Sequence, residues 1–326
     1  MGATVASAAT LDDVKAKGFV QCGVSTGLAG FSAPNDAGDW SGLDVDLCRG
    51  VAAAVFGDAK AVKYSPLSAK ERFTALQSGE IDLLSRNTTW TMSRDTQLGL
   101  NFAGVNYYDG QGFMVRKSLG VNSALQLSGA SVCVQTGTTT ELNLTDYSRA
   151  NKLNIKPVVF EKLEAALAAY SAGRCQAYTT DASGLASSRA KDMAKPDDHV
   201  ILPELISKEP LGPAVRRGDD EWAAIVRWVG FALLEAEEYE VTQANVDQMK
   251  ASSTNPGVMR LLGAGTEDTG KLLGLDKEWA YRAIKATGNY GEIFERHVGP
   301  KTDIGLPRGV NNLWSKGGVM YAPPVR

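Results

Sequence analysis

Apolar residues in the first third of the chain alternate between strand-like and helix-like spacing. "FVQCGV" is a short apolar strand, "DVDLCRGVAAAVFG" repeats apolar residues at helical spacing until Gly57, and "VKYSPL" is a strand again. A second helix, "AKERFTALQSG", ends at Gly79, and the buried strand "IDLL" follows. This strand, helix, strand order predicts a twisted α/β sheet.

The same alternation starts again in the middle of the chain. "GASVC" at residues 129–133 repeats the glycine, apolar strand and cysteine of "GFVQC" at residues 18–22, and "VVFEKLEAALAAYSAGRCQAYTTD" continues as strand, helix, glycine stop and strand. A chain of 326 residues is longer than one average domain. We therefore expect two lobes of similar construction.

Two extended segments connect the predicted lobes, "GQGFMVRK" at residues 110–117 and "EPLGPAVRRGD" at residues 209–219. Each has an apolar strand followed by basic residues, which indicates that the chain leaves the first lobe and later returns to it. We expect two sheets joined by a two-strand hinge. The predicted boundaries are 1–114 for the first part of lobe 1, 118–210 for lobe 2, 215–245 for the return to lobe 1, and 246–326 for an α-helical C-terminal extension packed on lobe 1.

Charge, composition and missing motifs argue against several classes of function. The formal net charge is -3 and Lys and Arg form no block, so binding to nucleic acid is not expected. No apolar run approaches the roughly 20 residues that a membrane-spanning helix needs. We expect no metal and no cofactor, because the chain has no CxxC and no His/Cys cluster. It also lacks a G-x-S-x-G elbow, a P-loop and a G-x-G-x-x-G motif, so we do not expect an enzyme.

The N-terminus and the cysteines both suggest an exported protein. "ASA" at residues 6–8 has the form of a signal-peptidase site, which we interpret as the remnant of a removed export signal. Cys22 and Cys48 lie in the first predicted lobe, and Cys133 and Cys175 lie in the second. One disulfide within each lobe is therefore allowed, although the sequence permits three pairings and buried free thiols are an alternative.

Polar side chains follow three of the predicted strands. "RNTTWTMSRD" (residues 86–95) follows "IDLL", "QTGTTTE" (residues 135–141) follows "SVCV", and Asp181 ends the strand in "CQAYTTD". Ligands of open α/β sheets bind beyond the carboxyl ends of the strands, so we expect these groups to face one cleft. Ser, Thr and Asp are also common helix caps, and each stretch alone is equally explained by capping.

Together these groups suit a zwitterionic ligand. An arginine fork with nearby hydroxyls binds a carboxylate, and the N-terminus of a helix favours an anion. We expect Arg94 and Thr89 to hold a carboxylate from lobe 1, the turn with Thr138 and Thr139 to add donors from lobe 2, and Asp181 to bind an ammonium group. A ligand that contacts both lobes would favour their closed arrangement.

The motifs resemble, in order, those of the periplasmic solute-binding proteins (family 3) that serve polar amino-acid ABC transporters. The resemblance runs from Leu11 to Phe231 through "GFSAPNDAGDWSGLDVDLCRGVA", "RFTALQSGEIDLL", "TTWTMSRD", "NYYDGQGFMV", "VQTGTTTEL", "AAYSAGRCQAYTTD" and "EPLGPAVRRGD". The tail, which ends in "NLWSKGGVMYAPPVR", resembles the subgroup of general L-amino-acid-binding proteins. This resemblance implies a type II periplasmic-binding-protein fold, a periplasmic location, an L-amino acid as ligand and ABC transporter permease subunits as partners.

The resemblance also implies roles for individual residues. In the family pattern T-x-T-x-x-R, Thr89 and Arg94 hold the ligand α-carboxylate together with Thr138 and Thr139 of the G-T-T turn, and Asp181 takes the α-ammonium. The expected side-chain pocket contains Arg72, Arg86, Asn87, Ser25 and Thr140.

Two departures from the family pattern limit the ligand. Ser25 and Leu28 stand where receptors for basic or neutral amino acids often carry an acid and an aromatic residue, and Leu163 replaces a histidine found in receptors for acidic ligands. We expect broad specificity for polar or acidic amino acids such as glutamate, glutamine, aspartate and asparagine. Arg72 is expected to face the ligand side chain, while Arg86 either does so or forms a surface salt bridge. The alternatives are a cyclohexadienyl-dehydratase-like enzyme on the same fold and a ligand-sensing module.

Overall fold

The structure is a computed structural model that describes residues 10–326. The predicted remnant of an export signal at residues 6–8 lies outside the described residues. Within residues 10–326, no helix combines the length and the apolar character needed to span a membrane.

The first part of the chain forms strands and helices in the predicted order. In chain order these are α1 (Thr10–Lys17), β1 (Val20–Val24), β2 (Ala33–Pro34), β3 (Trp40–Ser41), α2 (Leu43–Phe56), β4 (Val62–Pro66), α3 (Arg72–Ser78), β5 (Leu83–Leu84), α4 (Met92–Thr96), β6 (Leu100–Phe102) and β7 (Tyr107–Asp109). β1 pairs in parallel with β4 and β5, as expected when helices cross over between neighbouring strands. Gly57 and Gly79 cap α2 and α3 in the left-handed conformation that glycine adopts without steric cost.

The middle of the chain forms a second sheet. The elements of this part of the chain are β8 (Gln111–Arg116), β9 (Ser131–Gln135), α5 (Thr139–Ala150), β10 (Lys156–Phe160), α6 (Leu163–Ser171), β11 (Ala177–Asp181), α7 (Ala182–Lys191) and β12 (His199–Ile201), followed by the hinge strand β13 (Glu209–Leu211). The strand order of this sheet is β10-β9-β11-β8-β12. β9 runs parallel to β10 and β11, whereas β8 runs antiparallel to β11 and β12.

The chain crosses between the lobes at β7 and β13, which pair antiparallel and bring Glu209 opposite Asp109. The sequence placed the first crossing later, at residues 110–117, and ended the first part of lobe 1 at residue 114. β8 lies instead inside the second sheet. Its apolar side chains are buried, and its backbone pairs with β11 on one side and with β12 on the other. The first crossing therefore lies at β7, and the second lobe begins with β8.

After the hinge the chain returns to the first lobe through β14 (Ala214–Arg216) and α8 (Asp220–Glu238). The first sheet has the order β4-β1-β5-β14-β6, so the prediction of a two-lobed α/β fold is confirmed. The extension contains α9 (Val246–Ser252), α10 (Pro256–Leu261), α11 (Trp279–Thr287) and α12 (Tyr290–His297). α11 packs on α2 and α8, and Trp222 of α8 and Trp279 of α11 share one buried core.

Each lobe contains one disulfide. Cys22 of β1 is bonded to Cys48 of α2 with a Cα to Cα distance of 6.3 Å, and Cys133 of β9 is bonded to Cys175 before β11 with 5.6 Å. Of the three pairings that the sequence permits, the structure has the one in which both bonds stay within a lobe. Such bonds stabilise a fold mainly by restricting the unfolded chain, and they fit an oxidising compartment.

Candidate functional site

The polar segments that follow β5, β9 and β11 meet between the two lobes. The first lobe contributes the loop after β5 and the start of α4, and the second contributes the turn after β9 and the end of β11. Arg72, Arg86 and Arg94 are all buried, and so are Asp181 and the hinge residue Glu209. Burying a charge costs free energy unless an opposite charge or a hydrogen bond offsets it. The charges of these five side chains therefore have to be considered together, as one cluster.

Arg94 is held at the start of α4 by the loop that precedes it. Thr91 caps the helix by accepting a hydrogen bond from the Arg94 backbone N–H at 3.3 Å, so helix capping and an arginine facing the cleft occur in the same stretch. The Arg94 guanidinium donates to the Thr89 carbonyl at 2.8 Å and lies 5.0 Å from the centre of the Phe73 ring. Burial lowers the pKa of Arg94 to about 10, and the carboxylates of Glu209 and Asp181 oppose that shift.

Arg72 reaches from α3 towards the second lobe. Its guanidinium donates to the Thr88 hydroxyl at 3.3 Å and to the Gly137 carbonyl at 3.5 Å. Among the described residues its buried Nε–H has no hydrogen-bond partner. Burial, and then Arg86 and Arg94, lower the pKa of Arg72 well below its ordinary value, because two further cations stand nearby. Arg72 is therefore a cation with an unused donor and a shortage of negative charge.

Arg86 is buried rather than part of a surface salt bridge, with 5% of its surface exposed. Its Nε–H donates to the Leu67 carbonyl at 3.0 Å. Burial lowers the pKa of Arg86 to about 10, and Asp44 opposes the shift. Burial in turn raises the pKa of Asp44 to about 6, although hydrogen bonds from Asn87 and Asn106 favour its ionised form.

Asp181 ends β11 and faces the first lobe. Burial raises the pKa of Asp181 well above its ordinary value, the nearby acids Asp109 and Glu209 raise it further, and Arg72 and the Asn87 side chain oppose the shift. Asn87 stands at a positive φ of 26°, where its backbone N–H donates to Asp44 at 2.9 Å. The Asp181 carboxylate therefore lacks a full complement of counter-charge and suits a cationic group.

The threonine hydroxyls of the site are hydrogen-bonded within the protein. Thr138 caps α5 by accepting from the Glu141 N–H at 3.1 Å, and it donates to the Gln135 carbonyl at 2.7 Å. The Thr140 hydroxyl lies 2.9 Å from that of Thr138. The structure therefore uses Thr138 and Thr140 to build the N-terminus of α5, whose backbone N–H groups favour an anion.

Thr89 and Thr139, from opposite lobes, lie 3.3 Å apart through their hydroxyls. Both donate to Glu209, at 2.6 and 2.8 Å. Ser25 is buried after β1, and its backbone N–H is bonded to the Ser32 hydroxyl at 2.9 Å. Of the expected side-chain pocket, the structure brings together Arg72, Arg86 and Asn87.

Three acids of the cluster were not singled out from the sequence. Glu209 and Asp109 face each other on the hinge strands, and Asp44 supports the loop after β5. Burial raises the pKa of Asp109 to about 6, and a hydrogen bond from the Ser183 hydroxyl opposes this. A signal was present, since each acid lies directly beside apolar or aromatic residues in "GLDVDL", "NYYDG" and "KEPLG".

The two lobes touch around the cluster. Lys70 pairs with Glu161 across the cleft at 2.7 Å, and the Ser187 hydroxyl of lobe 2 donates to the Ala29 carbonyl of lobe 1 at 2.7 Å. A Cβ on Gly137 would lie 3.2 Å from the Lys70 Cα, so glycine permits this close approach of the backbones. The structure is thus a closed arrangement in which the charged cluster lies between the lobes.

Known proteins match this chain along its length. Residues 20–245 match the family described as bacterial extracellular solute-binding proteins, family 3. The chain is 64% identical over 327 aligned residues to the general L-amino acid-binding periplasmic protein AapJ of Rhizobium johnstonii, covering 100% of this chain and 95% of that protein. It is 58% identical over 324 aligned residues to the glutamate/glutamine/aspartate/asparagine-binding protein BztA of Rhodobacter capsulatus, covering 99% and 95%.

A solved structure also matches this chain over nearly its whole length. A periplasmic binding protein of an ABC transporter from Brucella ovis, solved with glutathione bound, superposes with a TM-score of 0.96 at 64% identity and covers 98% of this chain and 100% of that one. Both the sequence match and the superposition span the two lobes and the cleft between them. The chain therefore belongs to the bacterial extracellular solute-binding proteins of family 3.

Proposed function

We propose that the protein captures one polar or acidic L-amino acid in the cleft and delivers it to an ABC transporter permease from the periplasm. The observation that carries the proposal is the buried charge pattern, in which Arg94 and Arg72 of the first lobe face Asp181 of the second. An α-carboxylate on Arg94 and an α-ammonium on Asp181 would supply the counter-charges that these groups lack.

The side-chain specificity is assigned to Arg72, Arg86 and Asn87. Arg72 has an unpaired Nε–H and Asn87 an unpaired Oδ1 among the described residues. A donor and an acceptor together suit both the carboxylate of glutamate or aspartate and the amide of glutamine or asparagine. BztA, whose name gives these four ligands, and AapJ, named as a general L-amino acid-binding protein, support the same range.

Closure is the proposed mechanical step. A ligand held by Arg94 from one lobe and Asp181 from the other binds the closed arrangement more tightly than an open one, and this difference in affinity drives closure. The permease then distinguishes closed from open receptor. The hinge of β7 and β13 permits this motion, because paired strands bend through a few backbone dihedrals without local unfolding.

Binding without chemical conversion is part of the proposal. The His199 ring is hydrogen-bonded to the Tyr170 hydroxyl at 2.8 Å and the His297 ring to the Asp46 carboxylate at 2.6 Å, so both rings are engaged by residues other than the arginine cluster. Neither is positioned as a general acid for a dehydratase. Ligand recovered unchanged after long incubation, by mass spectrometry, is the expected result.

Calorimetric titration tests the proposal directly. Protein freed of carried-over ligand is titrated with glutamate, glutamine, aspartate, asparagine, lysine and glutathione, the last because its γ-glutamyl end carries the same α-amino acid group. Binding of the four polar or acidic amino acids, with a decrease in radius of gyration by X-ray scattering, is expected. Silence with all four would overturn the proposal.

A further inference from the structure

Glu209, on the hinge strand β13, is hydrogen-bonded to residues of both lobes. With 1% of its surface exposed, it accepts four hydrogen bonds. They come from Thr89 of lobe 1 at 2.6 Å, from Thr139 and Asn143 of lobe 2 at 2.8 Å each, and from Ser207 at 2.6 Å. An ionised carboxylate accepts only, so this environment fits it fully.

The hydroxyl hydrogens at the site can be assigned from these contacts. A threonine hydroxyl has one hydrogen to donate and lone pairs to accept with. Thr89 and Thr139 each donate that hydrogen to the Glu209 carboxylate. What they can offer a ligand is therefore an oxygen acceptor, and a carboxylate, which has no hydrogen to give, cannot use it.

We propose that Glu209 is a positioning residue that turns the hydroxyls of Thr89 and Thr139 so that they accept from the ligand α-ammonium. This rests on the proposed function and reverses the role that the sequence suggested for both hydroxyls. The α-carboxylate is left to Arg94 and the N-terminus of α5. The three N–H groups of an ammonium then find Asp181 and two threonine oxygens.

The test is Glu209→Gln, titrated with L-glutamate and with glutarate, which is the same molecule without the ammonium group. The amide donates through its nitrogen, so a threonine hydrogen is released and turns into the cleft. Glutamate should bind roughly 10- to 100-fold more weakly, while glutarate binding is kept or improved. An equal loss for both ligands, or no loss for either, would overturn the proposal.

A double-mutant cycle keeps the test decisive when glutarate binds too weakly to measure or Glu209→Gln does not fold. If Glu209 acts through the two hydroxyls, Glu209→Gln should add little to the loss of glutamate affinity in a Thr89→Val/Thr139→Val background. A full additional loss overturns the proposal. If Glu209→Gln does not fold, the valine variants are measured alone: they should bind glutamate more weakly and glutarate as tightly as the parent protein does. Weaker glutarate binding with unchanged glutamate binding overturns the proposal.

Glu204→Gln is the matched control. Glu204 is also a lobe 2 carboxylate, but it accepts from the Ser123 hydroxyl and from the Ala124 N–H at 3.0 Å, both within its own lobe, rather than from Thr89 or Thr139. Its replacement should leave the affinities for both ligands unchanged. Failure of the parent protein to bind glutamate would instead refute the proposed function, so the two failures are distinguishable.

The C-terminal extension holds the first hinge strand, β7, through side chains of Asn311 and Tyr290. The buried Asn311 side chain accepts from the Tyr108 N–H at 2.6 Å and donates to the Tyr108 carbonyl at 2.9 Å, as a neighbouring strand would. The Tyr290 hydroxyl donates to the Asn106 carbonyl at 2.8 Å. The outer edge of β7 is thereby paired by the extension, opposite β13.

We infer that the extension braces the hinge and so sets the balance between open and closed lobes. Hinge motion changes the backbone dihedrals of a few residues, and Tyr108 is held at both of its polar backbone groups. Loss of the brace increases the population of other hinge geometries. Apparent ligand affinity then falls in proportion to the competent fraction.

Asn311→Ala should speed hydrogen exchange at the Tyr108 amide and weaken glutamate binding roughly threefold to tenfold. Asn311→Asp, which keeps the acceptor and loses the donor, provides a milder second variant. Asn312→Ala is the control, because that side chain accepts from Leu313 within the extension. Faster exchange at Tyr108 with unchanged affinity in both Asn311 variants would overturn the inference.

Discussion

Replacing Arg94 by alanine should remove the main contact to the α-carboxylate, the group that all candidate amino-acid ligands share. Arg94 is 6% exposed, and its nearest negative partners in the protein, Glu209 and Asp181, only partly offset the cost of burying its charge. A carboxylate about 4 Å from a buried cation, at an effective dielectric constant of about 20, gains about 4 kcal/mol. Arg94→Ala should therefore weaken binding of every amino acid by about a thousandfold.

Lysine at the same position separates charge from geometry. Arg94→Lys keeps the positive charge but loses the planar fork that both holds the Thr89 carbonyl and faces the cleft. We expect a roughly tenfold loss, equivalent to about one charge-assisted hydrogen bond. Calorimetry with glutamate and glutamine measures both variants, and circular dichroism confirms that they are folded.

Arg149→Ala provides the control, because the Arg149 side chain is 79% exposed on the second lobe. Its loss should leave affinity unchanged. If Arg94→Ala bound glutamate and glutamine within about threefold of the parent protein, a difference below 1 kcal/mol, the assignment of the α-carboxylate to Arg94 would be wrong. The arginine would then serve only to hold the loop after β5.

Three further predictions concern selectivity, stability and pH. Arg72→Gln should weaken glutamate and aspartate more than glutamine and asparagine in competition titrations, since it removes a cation; equal losses would place Arg72 outside the side-chain pocket. Replacing Cys133 and Cys175 by alanine removes a link across 42 residues and should lower the free energy of unfolding by about 4 kcal/mol in urea titrations; a change near zero would contradict this. The pKa of Asp44 is raised from 3.8 to about 6 in the folded protein, so its stabilising contribution is present below pH 3.8 and is lost as the pH rises through 6. The difference in unfolding free energy between Asp44→Asn and the parent protein should therefore shift by about 3 kcal/mol in favour of the variant as the pH is raised from below 3.8 to 7. A difference that does not change with pH would refute the assignment.

Much of the fold was readable because its signals are local. The helical spacing in α2 and the glycine stops at Gly57 and Gly79 depend on neighbours within one turn, and the structure has both stops where they were expected. β8 was misplaced for the same reason. An apolar strand followed by basic residues looks alike whether it crosses between lobes or lies within a sheet, and only its pairing with β11 and β12 distinguishes the two.

The residue types of the site were also readable, but the direction of their hydrogen bonds was not. Thr89 and Thr139 stand out in the sequence as hydroxyls after strands, and nothing nearby indicates that both donate to a hinge carboxylate. Glu209 is 120 residues from Thr89 along the chain. The sequence by itself determined two α/β lobes, their disulfide-compatible cysteines and a set of charged and hydroxyl groups at strand ends, because those depend on local spacing. Only the tertiary structure decided which groups are hydrogen-bonded to each other and which arginine lacks a counter-charge. Hydrogen bonding and burial depend on partners that folding brings together from distant parts of the chain.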